Sequence, residues 1–381
     1  MAWEKVKLGD ICESISDGDH LPPPKSVNGI PFVTISNVNS SNQFDFKNTM
    51  FVPQEYYEKL DEKRKPRIND ILYSVVGSFG IPVFIKENRP FVFQRHIAIL
   101  RPNESRIHPR YLYYKMLSKD FYMKADAVAI GAAQRTISLT SLRNMEISIP
   151  CKDSQKRIAD ILSAYDNLIE NNQKQIKLLE EAAQRLYKQW FIDLRYPGHE
   201  TTPIVDGLPQ RWKKECLGNL VPILTGKKDA NYGTADGKYP FFTCSQEPIK
   251  SPGYSFDTSA VILAGNGDFN VKLYRGKFEA YQRTYVLAPK DKNYLYLVYN
   301  SVQGKMRELF QGASGSTIKF LTKGMIESIP IVIPSNLILK NFNDLQDAIQ
   351  KKIEVLKTSI ICSVESRDRL LPKLMNDEIE V

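Results

Sequence analysis

The chain is written twice, and that duplication restricts its fold more than any other feature. The opening WEKVKLGDI carries Trp3, Leu8 and Gly9, and Trp212, Leu217 and Gly218 stand 209 residues later in WKKECLGNL. Pro31-Phe32 recurs as Pro240-Phe241 at the same offset. The order then holds: Gly77-Ser78-Phe79 meets Gly267-Asp268-Phe269 at offset 190, and Gln94-Arg95 meets Gln282-Arg283 at 188. Tyr111-Leu112-Tyr113 meets Tyr294-Leu295-Tyr296 at 183, Gly131-Ala132 and Thr136-Ile137 meet Gly312-Ala313 and Thr317-Ile318 at 181, and Ile147 to Pro150 meets Ile331 to Pro334 at 184. A repeat that keeps its order along the whole chain requires one arrangement of elements to be built twice. The largest loss of offset falls at the charged stretch Lys59 to Asp70, which reads as a loop because loops absorb insertions.

Each copy mixes short strands with one or two helices. Ile71 to Val76, Ile81 to Ile85, Phe91 to Leu100 and Met145 to Ile149 have the β-branched and aromatic content of strands, with turn residues around them. Pro109 to Tyr122 reads as a helix whose Tyr111, Tyr114, Met116 and Phe121 belong to a core. The matching strands are Val261 to Ala264, Val271 to Tyr274, Tyr281 to Leu287 and Ile329 to Ile333, with a helix near Tyr294 to Leu309.

After each Ile-x-Ile-Pro strand the period changes to threes and fours. The apolar seam runs through Ile158, Ile161, Tyr165, Leu168, Leu179 and Leu186 in one copy, and Phe342, Leu345, Ile349, Ile353, Leu356 and Ile360 in the other. Each long helix needs a partner for a narrow seam on an otherwise charged surface, and the other helix is the obvious one. Chain direction makes the pair antiparallel and brings the C-terminus near the first globular domain. Pro372 marks a point where the second helix can be interrupted. The expected class is α+β: two similar globular domains separated by two long helices in an antiparallel coiled coil, with a pseudo-twofold internal repeat. The expected boundaries are 1–151 for the first domain, 152–195 for the central helix, 196–334 for a Pro- and Gly-bearing linker with the second domain, and 335–381 for the C-terminal helix.

Composition narrows the function. The net charge of +9 lies in the globular copies: residues 1–150 hold 20 basic against 16 acidic side chains, and 196–334 hold 17 against 12. Two matched cationic units suit a polyanion that spans both, and nucleic acid is the commonest such partner, although this excess equally fits ordinary solubility charge. Double-stranded DNA is the expected partner because two readers on a pseudo-twofold frame can address two segments of one duplex. No run of about 18 apolar residues occurs and Met1-Ala2-Trp3-Glu4 is no signal peptide, so a cytoplasmic protein is expected. Five cysteines without C-x-x-C spacing and four scattered histidines suggest neither a disulfide framework nor a metal site. No phosphate-binding G-x-x-x-x-G-K-[ST] occurs, and Asp17-Gly18-Asp19, Asp236-Gly237 and Gly265-Asn266-Gly267-Asp268 read as turns. No catalytic residue is expected.

Candidate DNA contacts come from polar residues inside matched apolar stretches. Gln94, Arg95 and His96, with Gln282 and Arg283, lead, since Arg pairs with guanine and Gln with adenine in the major groove. Recurrence in both copies equally fits a shared phosphate grip or a shared structural pair. Ser78, Gln134, Arg135, Asn266, Asp268, Lys272 and Ser316 follow, from polar loops near the matched glycines. Two readers on a pseudo-twofold frame fit two unlike half-sites separated by an unread gap.

The chain is similar to the specificity (S) subunits of type I restriction-modification systems. The pattern Leu208-Pro209-x-x-Trp212-x4-Leu217-Gly218, echoed at Trp3-x4-Leu8-Gly9, carries the resemblance. So does Ile149-Pro150 followed by Gln155-x-x-Ile158-Ala159-x-x-Leu162-Ser163-x-x-Asp166-x-x-Ile169, and together they cover essentially the whole chain. The resemblance implies two target recognition domains reading a bipartite DNA sequence, with the paired helices as spacer and dock for two methyltransferase (M) subunits. It implies that modification and cleavage reside in the M and restriction (R) subunits, which bring S-adenosylmethionine, ATP and Mg, and that this chain holds no cofactor. The second copy departs from the helix pattern, offering Phe342 to Ile349 instead, which leaves the equivalence of the two docking surfaces open. Two other readings are a recognition partner of a fused restriction-methylation enzyme and a coiled-coil scaffold presenting two protein-binding domains.

Overall fold

A computed structural model describes residues 3–18, 23–39, 41–131, 135–315 and 319–381. The chain divides into two units. One holds Met1–Asn171 with Ser359–Val381, the other Asn172–Thr358, so each unit contains one mixed domain and a part of both long helices.

In the first unit an antiparallel pair, Glu4–Lys7 with Glu146–Ile149, closes the domain where the central helix begins. A four-stranded sheet follows the order Cys12–Asp17, Ile97–Pro102, Ile71–Ser74, Pro82–Phe84, and a three-stranded sheet the order Met50–Val52, Ile30–Val33, Val92–Phe93. In the second unit Lys213–Cys216 pairs with Pro330–Ile333 in the same way. Its strands Ile223–Thr225, Thr284–Leu287, Phe256–Ala264, Val271–Ala280, Tyr239–Phe242 and Ile249–Ser251 form one six-stranded sheet, because the longer hairpin 256–280 reaches both halves that stay separate in the first unit. The predicted loop 59–70 contains only a short 3-10 turn, Glu62–Arg64.

Three expected elements need correction. The strand expected over Phe91 to Leu100 is two strands, since residues 94–96 turn as the chain leaves its parallel partner Ile30–Val33 for antiparallel pairing with Ile71–Ser74. The strand expected over Tyr281 to Leu287 breaks in the same place, at 281–283. The helix expected over Pro109 to Tyr122 is also two, Pro109–Leu117 and Lys119–Val128. Ser118 separates them: its hydroxyl accepts from the Phe121 N–H at 3.3 Å, the N-cap role that serine takes in preference to a helix interior.

The long helices run Lys152–Tyr187, extended by a π turn to Ile192, and Asn336–Met375. Their direction is antiparallel within each unit: Arg367 reaches Asp166 in the first, and Gln346 reaches the Ala183 carbonyl in the second. The C-terminal helix passes through Pro372 without interruption, because a proline in the last turn removes only one bond near the end. Lys115, itself buried, donates to the Met375 carbonyl there, and Ser154 donates to the Val381 carbonyl.

The packed face differs from the predicted seam. Ile158, Phe342, Ile353 and Leu356 are buried, and Ile161, Tyr165, Leu179, Leu186, Ile349 and Ile360 half-buried. Leu168 and Leu345 are 43% and 46% exposed and leave the seam. Ala183, between Leu179 and Leu186 of the seam, is buried as expected, and Leu162 and Ile169 are buried in addition, together with the polar Gln155, Ser163, Asn172, Gln346 and Ser363. Apolar counting cannot find a face that carries polar side chains every few turns.

Hydrogen bonds, not matching letters, define how the copies correspond. Gln94 N–H donates to Val33 O and Ile97 N–H to Gln94 O; Tyr281 N–H donates to Phe242 O and Thr284 N–H to Tyr281 O. The turns therefore match at offset 187, so that Gln94 corresponds to Tyr281, Arg95 to Gln282 and His96 to Arg283. The recurring Gln-Arg pair is displaced by one residue. Likewise Ile130 bridges Thr136 and Ser314 bridges Phe320, an offset of 184 that replaces the 181 read from Gly-Ala and Thr-Ile.

Candidate nucleic-acid interface

Three segments meet in each unit, and the predicted contacts ride on them. In the first unit, Val75 N–H donates to His96 O at 2.9 Å, Ile137 N–H to Val75 O at 2.9 Å, and Gly77 N–H to Arg135 O at 3.0 Å. The hairpin loop after Ile71–Ser74, the turn 94–96 and the loop ending at Ile137 are thus laced through backbone. In the second unit Gly265 N–H donates to Arg283 O at 2.9 Å, Leu321 N–H to Gly265 O at 2.8 Å, and Asn266 bridges Phe320. The frame is the same while its side chains differ.

Two glycine pairs make this frame possible. A Cβ on Gly18 would lie 2.3 Å from the Phe93 carbonyl oxygen, and one on Gly226 would lie 2.0 Å from that of Ala280. Only glycine lets the chain lie against the strand just before the turn. Gly77 and Gly267 hold positive φ, 75° and 64°, and tighten the hairpin loops: Phe79 N–H donates to Gly77 O and Phe269 N–H to Gly267 O.

Ser78 and Arg95 are exposed in the first unit, with Gln94 and His96 half-buried beside them. Burial, and then the neighbouring Arg95 charge, push the His96 pKa down, which favours the neutral ring. Arg135 is engaged within the unit, pairing with the Asp126 carboxylate at 2.8 Å and donating to its carbonyl at 2.5 Å. In the second unit Gln282, Arg283 and Asp268 are exposed and Asn266 half-buried. Lys272 is engaged within the unit: it donates to Ser245 O at 2.8 Å and to Asn270 Oδ1, and burial lowers its pKa. Gln134 and Ser316 lie outside the described residues.

The turn residues and hairpin tips of each unit therefore come together, and Arg135 and Lys272 make bonds within their units. Sequence reasoning missed the aromatic residues beside them. Tyr122, 43% exposed, stacks on Phe79 with ring centroids 5.5 Å apart, and Phe310, 48% exposed, meets Phe269 at 5.5 Å. Tyr122 lay at the end of a helix read as core; the break at Ser118 was the available signal.

No group of three or more His, Cys, Asp or Glu among the described residues is arranged to hold a metal, and no helix among them is long and apolar enough to cross a membrane. What the arrangement presents is exposed polar side chains on a hydrogen-bonded backbone frame.

A family model described as type I restriction modification DNA specificity domain matches residues 2–181 and 209–361. The type I restriction enzyme EcoDI specificity subunit of Escherichia coli is 39% identical over 44% of this chain and 36% of its own length. The type I restriction enzyme MjaIX specificity subunit of Methanocaldococcus jannaschii is 29% identical over 71% of this chain and 69% of its own. The crystal structure of the type I restriction-modification system S subunit from M. genitalium covers 98% of this chain and 96% of its own at 17% identity, with a TM-score of 0.60, a likeness of fold.

Proposed function

Because the chain belongs to the family of type I restriction-modification DNA specificity subunits, we propose that it is the sequence reader of such a complex, one half-site of a bipartite, asymmetric target falling to each unit. The observation that carries this reading is the shared backbone frame with unlike side chains: Gln94, Arg95 and His96 in one unit correspond to Tyr281, Gln282 and Arg283 in the other. Two such readers address two different short sequences, and base contacts rather than phosphate contacts are the ones expected to differ. Ser78, Asn266 and Asp268 join them from the hairpin loops, Arg135 and Lys272 are further candidates that also bond within their units, and Gln134 and Ser316 are candidates from the sequence alone.

The domain limits proposed are 1–151 and 196–334 for the two recognition domains, with 152–195 and 335–381 as spacer and dock for two M subunits. R subunits join through the complex. The family is non-catalytic, and the chemistry, with S-adenosylmethionine, ATP and Mg, belongs to the partner subunits. A cytoplasmic location follows from that role.

Co-expression with a methyltransferase (M) subunit of a type I system that forms a complex with it, in a host free of methylation, followed by mapping of modified bases, tests the proposal. A split motif of two short half-sites with a fixed gap is expected. A stable complex with an active methyltransferase that modifies no such motif would overturn it in favour of a scaffold.

A further inference from the structure

In each unit an exposed aromatic ring on a helix packs against the phenylalanine of the hairpin loop, although Tyr122 and Phe310 stand 188 residues apart, about one helical turn off the offset of 184 that relates the neighbouring loops. Phe79 and Phe269 occupy the same position in the two hairpin loops, and each is pinned by its own backbone N–H. Tyr122 lies nearly parallel on Phe79, at an interplanar angle of 5°, and Phe310 stands at 79° to Phe269. In both pairs the phenylalanine is half-buried while the helix residue, Tyr122 or Phe310, faces solvent. Ile130 and Phe320 are further exposed apolar side chains, each on the third loop of its unit. An exposed aromatic ring packed on the same hairpin phenylalanine in both copies is an apolar surface open to an occupant.

Charge and position identify the occupant. The Lys319 ammonium lies 4.5 Å from the centre of the Phe310 ring, and the ring surfaces continue from the loops that bear Ser78, Arg95, Asp268 and Arg283. A ring with a cation over it, in a segment with excess positive charge, fits a base flanked by phosphates, since every base offers a π-face and its backbone an anion.

We propose that Tyr122 and Phe310 are wedges, each packing against a base step of duplex DNA next to the half-site its unit reads and partly unstacking it. This rests on the DNA-reading function proposed above. It adds a contact that depends on deformability of the DNA and not on the identity of a base edge.

The test uses the complex with its methyltransferase subunit and a duplex bearing the mapped target, with 2-aminopurine placed in turn at the flanking positions. With the wild-type chain and with Tyr122→Phe, fluorescence is expected to rise at one flank of the first half-site. Tyr122→Ala is expected to abolish that rise and weaken binding by about tenfold. The slope of affinity against salt should not change, because no phosphate contact is removed. Phe310→Ala is expected to do the same at the other half-site. Should Tyr122→Ala melt early, Tyr122→Leu keeps an apolar contact with Phe79 without a π-face and should show the same loss. Unchanged affinity and fluorescence in folded variants, or a reduced salt slope, would overturn the wedge. So would loss of the methyltransferase subunit with DNA affinity retained, which would make the rings a protein contact. A wild-type complex that fails to bind any duplex sequence-specifically would instead overturn the reading function itself.

Discussion

Both units fasten a domain helix to a long helix with a tyrosine, an aspartate and an arginine, yet they draw the arginine from different places. In the first, Tyr114 donates to Asp166 at 2.5 Å and Arg367 of the C-terminal helix donates to the same carboxylate at 2.8 Å. In the second, Tyr296 donates to Asp347 at 2.8 Å and Arg275, on the strand Val271–Ala280, donates at 3.2 Å. The start of each helix differs too. Gln155 is buried with both amide atoms used, accepting from His108 N–H and donating to Pro150 O, each at 2.9 Å. Its counterpart Leu339, matched by the bond from its N–H to Ser335 O, is a buried apolar contact. The joint is thus conserved in geometry and free in chemistry. Because its arginine comes from the last helix, the first unit is completed by both ends of the chain, whereas the second is closed by its own hairpin.

The largest effects should come from the feature the units share most closely. Gly18→Ala and Gly226→Ala each force a Cβ onto a backbone carbonyl, and about 3 kcal/mol of stability should be lost in either unit. Hydrogen exchange resolved by residue would locate the loss at the turns 94–96 and 281–283 respectively. A neutral result at one glycine would mean that the two frames are not equivalent. A smaller effect should expose the asymmetry. Arg367→Ala strips a carboxylate whose side chain is 17% exposed, and about 2 kcal/mol is expected, below the range for fully buried pairs. Burial opposes the Arg367 charge, but its bonds to Asp166 and Asp368 hold its pKa above the usual value. Arg275→Ala acts where both side chains are more open, 43% and 32%, and should cost under about 1 kcal/mol. Urea unfolding of the two variants compares them, and equal losses would remove the distinction between a lock made by the chain's end and a local one.

The architecture was legible because it depends on order and period. The repeat, the strands Ile71–Ser74 and Glu146–Ile149, and the two long helices all follow from patterns that packing repeats over many residues. The candidate site was legible only as a region. Gln94, Arg95 and Arg283 do fall on the laced turns, but the Gln-Arg match suggested an equivalence that the backbone shifts by one residue. Identity between copies reports ancestry and chance together, while hydrogen bonding reports position. Tyr122 and Phe310 were hidden for a related reason: an aromatic residue in a helix looks the same in sequence whether it faces core or solvent. The lock was hidden because Asp166 and Arg367 stand 201 residues apart.

The smallest effect separates the locks by pH. In the folded chain Asp347 is held down to about 2, first by the Lys351 ammonium and then by the Tyr296 hydroxyl, against an ordinary value of about 4. The unfolded chain therefore takes up this proton first. The stabilisation from Asp347 is complete above about pH 4 and is lost as the pH falls towards 2. Its partial exposure keeps the contribution under about 1 kcal/mol. Asp347→Asn should flatten the acid limb of stability for the second unit in that window and leave the limb of the first unit as it was, with hydrogen exchange distinguishing the two. A limb of unchanged steepness in the second unit would show that its joint rests on Tyr296 packing and the apolar start at Leu339, with the charge of Asp347 contributing nothing that folding feels.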